Sequence, residues 1–230
     1  MEEKIIADLV TMSHTLGHPD NDYVLLGEGN VSAQLDAQTF LVKASGAFLK
    51  DLFKEDLVKV YFERILSFLQ KNEVSKTEIL ACLQDAINHP NAGRQPSSET
   101  FFHAILLKIK GVNFIGHTHP TAVNAILCSQ NAAKMFSGPI FPYQEEVCGP
   151  MPLFVPFAEP GFRLAISILE KLQVYLEQWG VPPKVILLQN HGLIALGSTA
   201  QEVTNITAVF NKAARIMIGT TSFGGPRYLT

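Results

Sequence analysis

Only three cysteines occur in the chain, Cys82, Cys128 and Cys148, odd in number and far apart. They can form neither a disulfide framework nor a paired CxxC metal clip, and they read as reduced, buried thiols of a cytoplasmic protein. No stretch approaches the ~20 apolar residues that cross a bilayer. The opening MEEKIIADLV is acidic where a secretory leader is basic, so neither export nor a membrane is expected. Excess positive charge is missing too: 18 Lys and Arg face 21 Asp and Glu, for a net charge of −3. With no basic cluster, this argues against a nucleic-acid binder. No GxGxxG or Walker loop is present, so no nucleotide is implied. No Pro/Gly/Ser-rich linker or charge run divides the 230 residues, of which 47% are hydrophobic. A single domain spanning 1–230 with one full core is expected.

What is present is a mixture of helical and strand patterns. Residues 2–16 carry an apolar stripe of Ile5, Ile6, Leu9, Val10 and Met12, which predicts an amphipathic helix. In NVSAQLDAQTFLVKASG, Val31, Ala33 and Leu35 alternate with polar residues before a short turn and TFLVKA, which predicts a hairpin. A strand is predicted near 56–62 and helices over 61–70 and 76–88, ended by the breakers of HPNAGRQP. Residues 97–111 read as a helix capped by Ser97 or Ser98, with Glu99 in its first turn. A strand through GHTHP and a helix from Pro120 follow. Residues 138–157 suggest short strands and turns. A long helix stops at Gly180, KVILLQNHGLIALG is a bent strand or tight hairpin, and 199–219 form a last helix. Adjacent strand pairs favour an α/β layered fold over a simple βαβ series.

Two of the seven histidines, His117 and His119, stand one residue apart after the apolar run GVNFIG. Alternation along a strand puts both rings on one face, aimed at one point. Convergent imidazoles point to a metal ion. His191 interrupts the most apolar strand region, in Asn-His-Gly, where glycine allows a close backbone approach. Three neutral imidazoles with one open position suit zinc. Glu99 is the candidate carboxylate, although the helix macrodipole alone would favour a glutamate there.

The motifs GEGNVSAQL, VKASG, QPSSETFFHAIL, GHTHP and LLQNHGLIALG, in this order, resemble the class II aldolase/adducin family over roughly residues 5–215. The resemblance implies a three-layer α/β/α sandwich around a central, largely antiparallel sheet, and a homotetramer. It implies that His117, His119 and His191 hold zinc or another divalent metal, and that Glu99 ligates the resting metal and serves as base. It further implies that Gly29, Asn30, Ser45, Gly46, Ser97 and Ser98 bind a sugar-phosphate substrate. The activity implied is retro-aldol cleavage of a phosphorylated ketose or sugar acid through a zinc-stabilised enediolate. Decarboxylation, dehydration or epimerisation of a related sugar phosphate is the alternative on the same site, and a non-catalytic adducin-like interaction module is the alternative of another class.

Relative to the compact aldolases of the family, residues 60–92 look like a helical insertion. The second acid/base differs by branch, and here Tyr143, Glu145, Glu146 and the tail residue Tyr228 all remain open. Lys43, two residues before Ser45, is either a charge for the substrate anion or an exposed lysine.

Overall fold

Buried apolar side chains at both odd and even strand positions decide the architecture. A computed structural model describes residues 1–88 and 93–229. In chain order the elements are α1 (Glu2–Leu16), β1 (Asn30–Gln34), β2 (Thr39–Lys43), β3 (Leu57–Tyr61), α2 (Phe62–Phe68), α3 (Lys76–Asp85), α4 (Thr100–Leu106), β4 (Phe114–Thr118), α5 (Thr121–Leu127), α6 (Ala132–Met135), α7 (Pro142–Cys148), β5 (Leu153–Val155), α8 (Phe162–Trp179), β6 (Val185–Leu188), β7 (Gly192–Gly197) and α9 (Ala200–Thr220). The strands form one sheet in the order β3-β2-β1-β4-β7-β6-β5. Among the described residues only the β5–β6 pair is parallel, and every other neighbouring pair of this sheet is antiparallel.

In β6, Val185 and Leu187 face one core while Ile186 and Leu188 face the other. A sheet apolar on both faces needs a helical layer on each. Phe62, Phe101 and Ile168 bring α2, α4 and α8 to one face, and Leu9, Ile126 and Phe210 bring α1, α5 and α9 to the other. The result is a three-layer α/β/α sandwich in a single domain. Among the described residues no helix is long and apolar enough to cross a membrane.

Several local expectations change. The helix expected over 97–111 is shorter, because its first residues are used otherwise. Its N-cap is Glu99, with no side-chain capping bond, while Ser97 and Ser98 lie before it. The stretch 138–157 contains the helix α7, with Pro142 at its first position, where the missing N–H costs nothing. QNHG is a tight hairpin turn joining antiparallel β6 and β7, with Asn190 at φ +56°. Gly180, at φ +67°, ends α8 in a left-handed cap. The polar side of β1 is buried as well as its apolar side, since α4 covers it. Cys148 is buried and Cys82 half-buried, but Cys128 is exposed, against the expectation of buried thiols. Burial pushes the Cys148 thiol up to about 12, so it is inert. Residues 89–92, the end of the stretch read as an insertion and part of HPNAGRQP, lie outside the described residues.

Candidate active site

Glycines let the three histidines meet. In β4, Gly116 faces α1 and α9; a Cβ there would stand 2.7 Å from Val203 Cγ1 and 2.8 Å from Leu16 Cδ1. Its neighbour His117 therefore points to the other face, toward α4, where Phe102 meets it edge-on. His119 continues the alternation, its backbone N–H donating to the Tyr23 carbonyl at 2.7 Å. The β6–β7 turn brings in His191, whose carbonyl accepts from Asn124 Nδ2 at 3.0 Å. A Cβ on Gly192 would lie 2.5 Å from the Thr118 carbonyl oxygen and 2.7 Å from His119 Cδ2. Only a bare backbone lets this turn close against the histidine pair.

The His117 Nε2 atom lies 3.0 Å from that of His119 and 3.3 Å from that of His191. The ring nitrogens of all three fall within 4.8 Å of one another. His117 Nδ1 stands 3.0 Å from the Leu193 carbonyl, which can only accept, so the proton is on Nδ1 and the Nε2 lone pair faces inward. The Glu28 carboxylate, 3.6 Å from His119 Nδ1, favours the same tautomer there. Burial holds His117 well below the usual imidazole range, lowers His119 and brings His191 to about 4. Three neutral lone pairs converging in a dry site repel one another unless a cation lies between them. The donor set fits a divalent metal.

Glu99 faces the same point from α4. Its Oε2 is 3.4 Å from His117 Nε2 and its Oε1 3.4 Å from His191 Nε2. Among the described residues Oε1 is buried without a hydrogen-bond partner, which also suits a cation ligand. Burial raises the Glu99 carboxyl to about 7, against the opposing pull of the Asn30 amide and Lys43. Asn30 donates through Nδ2 to Glu99 Oε2 at 2.7 Å and lies 3.4 Å from Ser97 Oγ. Its placement beside a carboxylate differs from the anion-binding role implied by the resemblance.

The remaining proposed substrate residues are brought together by backbone pairing. Ser45 N–H donates to the Gln95 carbonyl at 2.8 Å and Ser97 N–H to the Lys43 carbonyl at 3.2 Å. The Ser45 N–H is thus spent, and the turn offers the Ser45 hydroxyl and the Gly46 N–H. Ser45, Gly46 and Ser98 are exposed, while Gly29 and Ser97 are buried. Gly29, at φ +69°, passes so close to the triad that a Cβ would sit 2.6 Å from the His117 carbonyl oxygen. Lys43 is buried, not an exposed lysine. Its Nζ donates to Ala47 O at 2.6 Å and Gly27 O at 3.4 Å, tying the two turns together. Burial brings its pKa down to about 8, although Glu99 and Asp56 favour the charged form.

The candidates for the second acid/base lie on α7 and in the tail. Tyr143, Glu145 and Glu146 are exposed on α7, which packs against α9. Among the described residues no hydrogen bond or ion pair links them to the triad. Tyr228 is half-buried against Gly138, and its hydroxyl donates to the Lys134 and Met135 carbonyls at 3.0 and 3.1 Å. The tail is thereby tied to α6. Sequence reading missed His103, a fully buried histidine in the apolar run FFHAILL; a polar residue in so apolar a helix was the available signal.

Comparison with known proteins identifies the family. The family model for the class II aldolase and adducin N-terminal domain matches residues 7–218. The chain belongs to the class II aldolase/adducin family, which includes sugar-phosphate aldolases and decarboxylases and is typically dependent on a divalent metal. A 3-oxo-tetronate 4-phosphate decarboxylase of Haemophilus influenzae is 26% identical, over 92% of this chain and 86% of its own. A Bacillus subtilis protein named as an uncharacterized oxidoreductase, YuxG, is 25% identical over 98% of this chain. The chain spans only 32% of that relative's length. Among solved structures, YgbL from Klebsiella pneumoniae superposes with a TM-score of 0.73 at 25% identity, covering 100% of this chain and 95% of its own. An L-fuculose 1-phosphate aldolase, at 20% identity and TM-score 0.73, shares the fold over 99% of this chain and 91% of its own.

Proposed function

We propose that the chain is a metal-dependent carbon–carbon lyase acting on a phosphorylated ketose or sugar acid. The observation that carries this reading is the convergence of three Nε2 atoms with a buried, otherwise unpartnered Glu99 oxygen. A non-catalytic interaction module has no use for such a cluster. His117, His119 and His191 would hold the metal, and zinc suits three neutral imidazoles. When bound, the metal supplies Lewis acidity toward a substrate carbonyl. Glu99 moves a proton on or off the carbon beside that carbonyl, and its dry surroundings keep it near neutral in basicity until a cation draws it down. The turns at Gly29, Ser45–Gly46 and Ser97–Ser98 receive the phosphate, with the Lys43 cation behind them. Asn30 serves Glu99 more directly than it serves the phosphate.

Retro-aldol cleavage and decarboxylation share these roles, since each leaves an electron pair on the carbon that Glu99 serves. The Haemophilus relative, similar along nearly its whole length, favours decarboxylation as the second reading. The proposal extends to a cytoplasmic homotetramer whose neighbours cover Leu25, Leu26 and Phe48, which are exposed on the turns beside the site. A monomeric mass at micromolar concentration would remove that part.

The test is turnover of 3-oxo-tetronate 4-phosphate and of L-fuculose 1-phosphate, read as carbon dioxide release against free aldehyde release. Glu99→Gln should keep its metal and lose ~10²-fold or more in turnover of the active substrate. Unchanged turnover in that variant would return Glu99 to a structural role and move the search for the base to Tyr143, Glu145 and Glu146.

A further inference from the structure

Behind Glu99 lies a second row of buried polar side chains that metal binding does not require. Glu99 and His103 are one helical step of four apart, about 6 Å along α4 and on one face. Asn30 and Ser32 are two apart on β1, about 6.7 Å along the strand and also on one face. The two pitches match, so the pairs meet side by side where α4 lies over the sheet. Asn30 Nδ2 donates to Glu99 Oε2 at 2.7 Å. The other end of the same amide, Oδ1, contacts His103 Nε2. His103 Nδ1 lies 2.6 Å from Ser32 Oγ. Ser32 and His103 are fully buried and Asn30 nearly so.

The hydrogens in this row are determined by elimination. In the form that faces a cation Glu99 is ionised and only accepts, so the NH₂ of Asn30 must face Glu99 and its oxygen must face His103. His103 Nε2 must then carry the proton, and Nδ1 accepts from the Ser32 hydroxyl. Each contact along the row then pairs one donor with one acceptor. Reversing the His103 tautomer would set a lone pair against the Asn30 oxygen, and relieving that clash would turn the amide oxygen onto the carboxylate.

We propose that His103 is a positioning residue for Glu99, acting through Asn30: it fixes which way round the Asn30 amide stands, and the amide N–H holds the carboxylate against the histidine triad. The functional consequence rests on the reading of Glu99 as the proton carrier. The positional claim is independent of it.

Two measurements test this. Long-range proton–nitrogen NMR on zinc-loaded protein labelled in histidine should find His103 protonated at Nε2 and bare at Nδ1. Protonation at Nδ1 would overturn the proposal. The second measurement is kinetic, on whichever of the two sugar phosphates named above is turned over. His103→Phe, which keeps a ring but donates nothing, should retain its metal, hold KM within about twofold and lose about tenfold or more in kcat. His103→Gln, which restores a donor, should recover most of that loss. Wild-type kcat in His103→Phe, or losses in both variants that merely follow a lower Tm, would make His103 a packing residue. If neither sugar phosphate reacts, the proposed function fails and the NMR result alone decides the role of His103. If the phenylalanine variant does not fold, the glutamine variant and the NMR result decide it.

Discussion

Asn30, Ser32, Glu99 and His103, on one wall of the site, are buried with their side chains committed to one another. On the other side, Ser45, Gly46 and Ser98 are exposed, and the glycines Gly29 and Gly46 sit at φ +69° and +80°. The first wall uses side chains on a helix and a strand; the second uses turns. The difference follows from what each must do. A group that places a proton needs a fixed position and a dry setting, since misplacement by 1 Å can cost about 10²-fold in rate. An anion that enters and leaves needs open backbone and hydroxyl donors. Lys43 links the walls: buried on the dry side, it hydrogen-bonds to the carbonyls of both turns.

The contrast can be broken most severely at the metal ligands. His119→Ala should lose its metal on dialysis, measured by elemental analysis, while the protein stays folded, because His119 is partly exposed and its removal opens no core cavity. Full metal retention would reject the three-histidine assignment.

Gly29→Ala comes next. It adds a Cβ 2.6 Å from the His117 carbonyl oxygen at a positive φ. Left-handed strain of 1–2 kcal/mol and overpacking of a similar size should together cost about 3 kcal/mol in denaturant unfolding. A loss below about 1 kcal/mol would show that the turn can give way there.

Acid sharpens the comparison on the dry side. Burial lowers His103 to about 3 from an ordinary 6.5. Between those values the unfolded chain binds more protons at this site than the folded chain, so its contribution is full above pH 6.5 and is lost as pH falls toward 3. One proton corresponds to about 1.4 kcal/mol per pH unit, or about 2 kcal/mol between pH 6.5 and 5. The stability slope of His103→Gln should be shallower than that of the native chain by about this amount. Equal slopes would mean that His103 is hydrated.

The smallest effect is expected at Gly46→Ala on the open side. The φ is +80°, but among the described residues nothing lies within 4 Å of the added Cβ. The cost should be about 1 kcal/mol of backbone strain alone. A cost equal to that of Gly29→Ala would erase the contrast between a packed turn and an open one.

Much of this was legible in the chain itself. Period-two alternation put His117 and His119 on one face, and Gly192 announced the close approach that brings His191 to them. The stripe of α1, the hairpin β1–β2 and the stop at Gly180 are local patterns, fixed by side-chain periodicity and glycine's freedom at positive φ. The first-turn position after Ser97 and Ser98 marked Glu99 as the candidate carboxylate, and the family motifs gave it a role. What only the tertiary structure decided was burial from a distance. In the sequence Asn30 and Ser32 are simply the polar residues alternating with Val31 and Ala33, and Lys43 is open between a charge for the substrate anion and an exposed lysine. Docking of α4, whose Glu99 and His103 stand 69 and 71 positions from their hydrogen-bond partners Asn30 and Ser32, made that side an interior. Periodicity within a segment reports that the segment has two faces; which face meets water depends on what packs there, and a buried polar group must then find its partner across that interface.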